Sequence, residues 1–380
     1  MATSSIPNTM RSLSVRRFGP PSKWEIAGLP TPKITRGDEV LVKVHAAAIN
    51  PTDIGAAMGR YWPAFNVPGG LNIYKPVAKT DHKSSLPHKI GYDLAGTVVD
   101  RGSEATKFNV GDEVICCLPF KDGEKYGTGA VSKYALLTET LVVSKPKNLN
   151  FVEAASLPMV ALTAIQMLDK VPGGVEGKTV FIPAGLSGVG SAAVQMAKNA
   201  YGAEKVITTV STRKIPMIDG FLSKGVVDEI IDYTKTNPAK TIPQNSVDVL
   251  IDSIGATVSS LALLKKGGMI VACAGPPSSG RDLKNVSTDV PYLVEKILNL
   301  VNAVVRWWVG RYQVKFDTVL MKANGGDLER IKTWVEEGKL RPVVGKVLKF
   351  VDLEGIKEEG ERIMKGKGGV GKVVIDIIAD

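Results

Sequence analysis

Apolar residues follow two different patterns in the two parts of the chain. Before residue 150, β-branched runs such as EVLVKVHAAAIN are cut by Gly, Asn and Asp, which is typical of strands joined by turns. From residue 151 onward, short apolar runs alternate with segments that have the apolar spacing of helices. This alternation predicts an α/β fold with a doubly wound parallel sheet.

The second part divides into named elements. The predicted strands are KTVFIPAG, KVITTVS, EIIDY, VDVLIDSIG and GMIVACAG, and KFDTVLM is a candidate for one more. The predicted helices cover 151–169 with a kink near Pro158, then 189–201, 215–224 and 257–264. DLERIKTWVEEGKL has helical periodicity, and GVGKVVIDI is predicted as a closing strand.

The most apolar window is VPYLVEKILNLVNAVVRWWVGRY, residues 290–312. Charged and amide side chains interrupt it well short of the ~18 apolar residues that a membrane span needs, so no integral membrane segment is predicted. An amphipathic helix is expected instead. It would pack on the body of the protein or on a second subunit, or would contact a membrane surface through Trp307 and Trp308.

Charge and cysteine content indicate which partners and which cellular compartment to expect. The net charge of +10 over 380 residues includes no basic run of five or more, so no nucleic-acid partner is expected. Cys116, Cys117 and Cys273 form no even framework, which favours free thiols in a reducing compartment. The first residues lack the apolar core of a secretory signal. We expect a cytoplasmic protein, with organellar targeting left open.

The segment AGLSGVGSAAVQMAK, residues 184–198, follows a predicted strand and opens a predicted helix. Gly188 and Gly190 would let the backbone approach a pyrophosphate, and Ala193 would allow close helix–strand packing. The helix N-terminus would supply N–H donors to the phosphates. The candidate cofactor residues here are Gly185, Ser187, Gly188, Val189 and Gly190. The alternative is a glycine turn without a ligand.

The end of the next predicted strand indicates which dinucleotide would bind. An NAD site usually has Asp or Glu there, for the ribose hydroxyls. This chain has hydroxyls and cations instead, at Ser211, Thr212, Arg213 and Lys214. Such groups suit a 2′-phosphate, so NADPH is the predicted cofactor. An ordinary helix cap with surface cations would have the same residues.

Seven segments in order resemble one protein family. They are FGPPSKWEIAGLPTPKITRGDEVLVKVHAAAINPTD, GYDLAGTVVDRGSEATKFNVGDEV, AASLPMVALTA, the glycine motif, DVLIDSIG, EEGKLRPVVGKV and GKVVI. Together they resemble the medium-chain dehydrogenase/reductases, in the zinc-free branch of quinone oxidoreductases and enone (alkenal/one) reductases. The resemblance implies a GroES-like β-rich catalytic domain at 1–150 and 315–380. A Rossmann NADPH-binding domain would occupy 151–314.

The same resemblance argues against a metal site. Zinc-dependent relatives would have their first ligands near Asn50 and at Tyr92, and neither residue suits zinc. His45, His82 and His88 lack metal-site spacing. An enone or quinone is already electrophilic, so its reduction needs a hydride source, orientation and hydrogen-bond donors rather than a metal.

The resemblance also implies catalytic candidates. Asn50 and Asp53 lie in the NPTD turn, which borders the nicotinamide and substrate cleft in this branch. Many relatives have a tyrosine two residues later, where this chain has Gly55. Tyr61 or Tyr92 could donate the proton instead, or solvent could. Asn-Pro and Asp are equally a plain turn signal.

The remaining cofactor candidates are also implied by the resemblance. They are Thr163 beside the nicotinamide, Tyr233 against the 2′-phosphoribose or adenine, and Ser253, Gly255, Gly275 and Lys372 near the cofactor. Each has an ordinary structural alternative, such as packing in a helix or surface charge.

The predicted function is NADPH-dependent reduction of a small electrophile, either a quinone or the C=C bond of an enone or enal. A metal-free aldehyde/alcohol reductase and a non-catalytic NADPH-binding interaction protein are the alternatives. A homo-oligomer is expected, with a dimer favoured. The aromatic-rich 59–89 segment would be a substrate lid, an insertion or a dimer contact.

Overall fold

Sixteen strands form three sheets in the computed structural model, which describes residues 6–59, 87–120, 129–275, 278–284, 292–367 and 369–378. The strands are β1 (Thr9–Val15), β2 (Glu25–Pro30), β3 (Glu39–Ile49), β4 (His88–Lys89), β5 (Asp93–Arg101), β6 (Glu113–Cys117), β7 (Tyr134–Thr138), β8 (Val142–Ser144), β9 (Thr179–Ile182), β10 (Lys205–Val210), β11 (Glu229–Asp232), β12 (Val247–Asp252), β13 (Leu264–Ala272), β14 (Lys315–Thr318), β15 (Val344–Lys349) and β16 (Lys372–Asp376).

Eleven α-helices connect these strands within the described residues. They are α1 (Pro51–Ala57), α2 (Phe151–Ala155), α3 (Pro158–Asp169), α4 (Gly188–Asn199), α5 (Ile218–Leu222), α6 (Pro238–Thr241), α7 (Thr257–Ser260), α8 (Gly280–Lys284), α9 (Tyr292–Gly310), α10 (Gly325–Glu336) and α11 (Leu353–Met364). No helix in this part of the chain is long and apolar enough to cross a bilayer.

The six-stranded sheet has the order β11-β10-β9-β12-β13-β14, with every neighbouring pair parallel. This is the doubly wound order, in which the chain reverses direction beside β9. β14 pairs with β13 from Met269–Lys315 to Ala272–Thr318. The sheet therefore continues past the predicted boundary between 314 and 315, because backbone hydrogen bonding includes Lys315–Thr318 in it.

The seven-stranded sheet joins distant parts of the chain. Its order is β15-β16-β3-β5-β6-β8, and β7 pairs with β3. β16 runs antiparallel to β3, with Val373 opposite Ile49. A third sheet has the order β2-β1-β4, and Ser12 of β1 forms an isolated antiparallel bridge with Ser132. Because Val373 lies opposite Ile49, the pairing of β16 with β3 brings Lys372 close to the start of α1.

Three predicted helices differ from the observed ones. The 151–169 prediction becomes α2 and α3, because Pro158 begins a new helix after a break at Ser156 and Leu157. The 215–224 prediction becomes a tight turn over Thr212–Met217 followed by α5, with Pro216 inside the turn. The 257–264 prediction ends early, since α7 gives way to a single turn at Leu261–Leu263.

The apolar core connects the two large sheets. Ala48 and Ile115 of the seven-stranded sheet share one buried cluster with Leu162 of α3 and Val180 of β9. α3 packs against β5 and β6 of the seven-stranded sheet and against β13 of the six-stranded sheet. The cavity described next lies between these two sheets.

Candidate active site

A cavity of about 750 Å³ lies between the two large sheets. On one side it is bounded by the carboxyl ends of β9, β10 and β12 and by the N-terminus of α4. On the other side it is bounded by the start of α1 and by β16. The carboxyl ends of strands at the point where the strand order reverses are the usual ligand site of such sheets.

The glycines of the loop between β9 and α4 have two different structural roles. A Cβ on Gly188 would lie 2.9 Å from Val160 Cγ1 at the cavity wall, so this glycine keeps the cradle open. A Cβ on Gly190 would lie 2.2 Å from the Ala184 carbonyl oxygen, and one on Gly185 would lie 2.3 Å from Thr208 Oγ1. These two glycines serve packing of the turn, and neither lines the cavity.

The N-terminus of α4 lies at the cavity. Ser187 caps the helix, and its Oγ accepts a hydrogen bond of 3.1 Å from the Gly190 N–H. Ser187, Gly188 and Val189 line the cavity, so the first helical N–H groups lie at its edge. A pyrophosphate would meet backbone donors and the positive end of a helix there.

Two of the four predicted 2′-phosphate residues line the cavity, Ser211 and Lys214. The Lys214 ammonium donates to the Gly369 carbonyl oxygen at 2.8 Å. Thr212 instead donates its hydroxyl to the Asp232 carboxylate, and neither Thr212 nor Arg213 lines the cavity. The structure therefore brings half of this predicted group to the site.

Two charged residues near this end of the cavity were not predicted. Asp232 ends β11, the neighbour of β10, and hydrogen bonds from Thr212 and then Thr234 lower the pKa of its carboxyl. Arg362 of α11 lines the cavity, and its charge adds to burial in lowering the pKa of Lys214. At the end of β11 the sequence singled out Tyr233 but not its neighbour Asp232, and the helix that carries Arg362 gave no functional signal.

A buried polar network forms the floor of the cavity where α1 begins. Lys372 is 5% exposed, and its ammonium donates to Asn50 Oδ1 and, at 3.1 Å, to the Ile49 carbonyl oxygen. It also lies 3.2 Å from Asp93 Oδ2. The Asn50 side-chain amide donates to the same Asp93 oxygen at 2.9 Å. The network fixes the Asn50 amide, and both Asn50 and Lys372 line the cavity.

Asp93 is the member of this network that sequence reasoning missed. Its side chain is fully buried, and its second oxygen accepts a 2.8 Å hydrogen bond from the Met159 N–H at the start of α3. It therefore connects the seven-stranded sheet to α3. The available signal was an acid in the otherwise apolar run GYDLAGTVV, because a lone buried carboxylate requires a partner.

Asp53 lies behind the cavity rather than in its wall. It completes a capping box with Asn50, in which the Asn50 N–H donates to Asp53 Oδ2 at 2.5 Å. Burial raises the pKa of Asp53 to about 7, although the Asn50 hydrogen bond and Lys372 oppose the shift. Asp53 thus orders the turn that presents Asn50.

Of the two tyrosines proposed as proton donors, Tyr92 is not among the lining residues. Its ring packs edge-on against Phe120 with centroids 4.9 Å apart. Phe120, rather than Tyr92, forms that part of the wall. Tyr61 and most of the predicted 59–89 segment lie outside the described residues.

The remaining predicted residues surround the cavity in different ways. Thr163 lines the cavity, and its hydroxyl donates to the Met159 carbonyl oxygen at 2.7 Å. Ser253 lines the cavity, and its buried Oγ has no hydrogen-bond partner among the described residues. An unpartnered buried hydroxyl at a cavity wall is expected where a ligand completes the hydrogen bonding.

Gly255 and Gly275 shape the loops that follow β12 and β13. Both have positive φ, at 83° and 92°, and a Cβ on Gly275 would lie 3.2 Å from the Gly255 Cα. Asp252, which was not predicted, organises the first loop by accepting N–H bonds of 2.8 Å from Gly255 and 2.9 Å from Ala256. Tyr233 lines the cavity just after β11, and its predicted contact with the 2′-phosphoribose or adenine stays a prediction.

Apolar side chains form a large part of the cavity wall. Phe120, Met159, Val160, Leu320 and Met321 line it beside Asn50 and Thr52. An apolar molecule would fit here with its polar atoms near the α1 N-terminus. Among the described residues, no group of three or more His, Cys, Asp and Glu side chains could hold a metal ion.

Comparison with known proteins decides the family. Residues 36–147 match the family described as alcohol dehydrogenase GroES-like domain, and residues 227–375 match the one described as zinc-binding dehydrogenase. The chain is 36% identical, over 76% of its length and 70% of the relative's, to a 2-methylene-furan-3-one reductase from Solanum lycopersicum. It belongs to the medium-chain dehydrogenase/reductase superfamily.

Two further comparisons refine the position of the chain within this superfamily. It is 31% identical to an NADPH-dependent alkenal/one oxidoreductase from Arabidopsis thaliana, described as chloroplastic, over 90% of this chain and 74% of that one. The structure of the quinone oxidoreductase from Coxiella burnetii superposes with a TM-score of 0.73 at 28% identity, covering 97% of this chain and 99% of that one. The predicted fold class and the resemblance to the quinone and enone oxidoreductases are confirmed. The chain is an oxidoreductase of the medium-chain dehydrogenase/reductase superfamily.

Proposed function

We propose that this protein reduces small apolar electrophiles, either quinones or the C=C bond of α,β-unsaturated carbonyl compounds, with NADPH as hydride donor. The observation that carries the proposal is the composition of the cavity. The glycine loop before α4, the Lys214 ammonium, the fixed Asn50 amide and a set of apolar side chains all line one cavity. Cofactor and substrate would thus meet beside Thr163 and Asn50.

The residues present fit a nicotinamide dinucleotide. Gly188 leaves the space that a Cβ would fill, and the buried Ser253 hydroxyl lacks a partner among the described residues. Ser187, Gly188 and Val189 would hold the pyrophosphate, while Ser211 and Lys214 would hold a 2′-phosphate. NADPH would supply the hydride. Arg362 would add positive charge on the same side as Lys214.

The protein's own part in the reaction would be positioning. Lys372 and Asp93 hold the Asn50 amide in one orientation at the substrate end of the cavity. Apolar side chains exclude water around the electrophile and strengthen any hydrogen bond to its oxygen. The proton that follows the hydride would come from solvent or from Tyr61, since Tyr92 does not line the cavity.

The proposal also covers the cellular compartment and the oligomeric state. All three cysteines are free thiols, which suits a reducing compartment. Burial raises the pKa of each of them, which lowers their reactivity. We propose the cytoplasm, although several relatives are described as chloroplastic or mitochondrial. A homodimer remains the favoured assembly.

The test follows NADPH absorbance against an alkyl vinyl ketone, a 2-alkenal, a naphthoquinone and a saturated aldehyde, each with and without a chelator. We expect turnover of the conjugated substrates or the quinone, unchanged by the chelator and much slower with NADH. Activity confined to the saturated aldehyde would overturn the proposal in favour of an aldehyde reductase. NADPH binding without turnover across the panel would favour the non-catalytic alternative.

A further inference from the structure

Helix α9 has an apolar stripe that faces away from the protein. The stripe consists of Leu293, Ile297, Leu300, Val304 and Trp307, whose exposed fractions run from 46% to 69%. Spacings of four and three residues place these side chains on one face. At 1.5 Å per residue the stripe is about 21 Å long.

The opposite face of α9 fixes the orientation of the stripe. Leu298, Asn302 and Val309 are buried, and Val309 belongs to a core cluster with Phe316 of β14. Trp308, which the sequence grouped with Trp307, packs partly buried against that cluster. α9 is therefore held against the six-stranded sheet with Trp307, and not Trp308, on the outer face.

A cation accompanies an aromatic ring at each end of the stripe. The Lys296 ammonium lies 5.0 Å from the centroid of the Tyr292 ring. The Arg311 guanidinium carbon lies 5.6 Å from the centroid of the Trp307 ring. Aromatic rings beside Lys or Arg are the side chains that anchor a protein at the boundary between lipid tails and headgroups.

The charge around the stripe is one-sided. The described residues of 278–318 include six Lys and Arg but three acids. Glu295 pairs with Lys284 at 2.6 Å and Asp317 with Arg306 at 2.5 Å, which leaves four cations, Arg281, Lys296, Arg311 and Lys315, against one acid, Asp282. The surface that surrounds the apolar stripe is therefore complementary to an anionic partner.

We propose that the α9 stripe is a docking surface for an anionic lipid bilayer, with the helix lying in the plane of the interface. The apolar side chains would enter the acyl boundary, and Lys296 and Arg311 would reach the headgroup phosphates. A second copy of this chain fits less well. Antiparallel helices would bring the Lys296 end of one copy against the Arg311 end of the other, and parallel helices would bring identical cations together.

The experiment is flotation of the full-length protein with vesicles of phosphatidylcholine, alone or mixed with phosphatidylserine. We expect binding to the mixed vesicles that is at least about tenfold stronger and falls with added salt. A Leu300→Glu, Val304→Glu variant should lose at least about tenfold of this binding. A Lys296→Glu, Arg311→Glu variant should lose the preference for phosphatidylserine.

The matched control is Val110→Glu, Val347→Glu, which changes two exposed apolar residues outside α9 and should bind vesicles as the unmodified protein does. NADPH affinity and thermal midpoint, measured for every variant, report correct folding. Absence of flotation, or flotation unaffected by Leu300→Glu, Val304→Glu, would overturn the proposal. A protein that does not float, and is a dimer until Leu300→Glu, Val304→Glu makes it a monomer, would assign the stripe to a subunit contact instead.

Discussion

Among single residues, Lys372 and Asp93 make the costliest contact at the site. Both side chains are almost fully buried, and the ammonium lies 3.2 Å from the carboxylate. Removing two charges from water costs several kcal/mol per ion, which the contact and its neighbouring hydrogen bonds only partly offset. Losing one partner is therefore worse than losing both, because the remaining charge stays buried without compensation.

Lys372→Met should lower the free energy of unfolding by about 3 kcal/mol. The double variant Lys372→Met, Asp93→Asn should lose less free energy of unfolding than Lys372→Met alone, because no unpaired charge remains buried. Urea unfolding measures both. Lys357→Met breaks an exposed 2.8 Å pair with Glu354 and should cost less than about 1 kcal/mol. Equal losses for Lys372→Met and the double variant would contradict this account.

Asp53 should make stability depend on pH. Burial raises its pKa from 3.8 to about 7 in the folded protein. Between these values the folded state holds a proton that the unfolded state has lost, so rising pH lowers stability by up to about 1.4 kcal/mol per unit. Asp53→Asn should remove this slope in urea unfolding from pH 4 to pH 7. An identical slope in protein and variant would show that Asp53 is already ionised when folded.

Lys214 should discriminate between the two nicotinamide cofactors. Its ammonium lines the cavity, and a charge-assisted hydrogen bond to phosphate is stronger than a neutral one. Lys214→Ala should raise the Kd for NADPH about tenfold or more and leave the Kd for NADH nearly unchanged. Calorimetric titration measures both constants. Arg213→Ala, at the neighbouring residue that does not line the cavity, is the control, and an equal effect there would mean that only general charge matters.

At the scale of elements, the sequence was sufficient where a local pattern decides the structure. The alternation of apolar runs and helical spacing predicted β9 to β13, and the glycine loop was found between β9 and α4. The sequence was insufficient where contacts between distant elements decide the structure. The spacing of Gly185, Gly188 and Gly190 does not say which of them faces a ligand, because that depends on Val160 and Thr208 from other elements.

The glycine loop offers a test of this division of tasks. Gly190→Ala would place a Cβ 2.2 Å from a backbone oxygen, so we expect a loss of about 2 kcal/mol in stability and much weaker NADPH binding. Gly220→Ala is the control, since its Cβ would meet no atom within 4 Å in helix α5. It should gain about 0.5 kcal/mol. Thermal unfolding with and without NADPH measures both effects. A Gly190→Ala variant as stable as the unmodified protein would contradict the packing role of this glycine.

At the scale of the whole molecule, the site exists because distant parts of the chain meet. Lys372 and Asn50 are 322 residues apart in sequence, and the β16–β3 pairing makes them neighbours. Each was a candidate from the sequence, but their contact was not predictable, because nothing in either local pattern specifies a pairing across that separation. The same holds for the hydrogen bond between Asp93 of β5 and the Met159 N–H of α3, which are 66 residues apart in sequence.

A cavity built from both sheets predicts how cofactor binding spreads through the protein. Saturation at about 100 times the Kd should stabilise the folded state by about 2.7 kcal/mol. If the cofactor contacts both walls, hydrogen exchange should slow in two places. One is the glycine loop and start of α4, residues 184–190, beside the six-stranded sheet. The other is residues 49–54 and 369–373, beside the seven-stranded sheet.

Mass spectrometry of exchanged peptides measures this protection, with residues 292–310 of α9 as the internal control. Those amides lie outside the cavity and should exchange equally with and without NADPH. Gly190→Ala, which should bind NADPH poorly, should show no protection in any of these segments. Protection confined to 184–190 would mean that the cofactor contacts one sheet alone and that Asn50 and Lys372 serve the fold rather than the site.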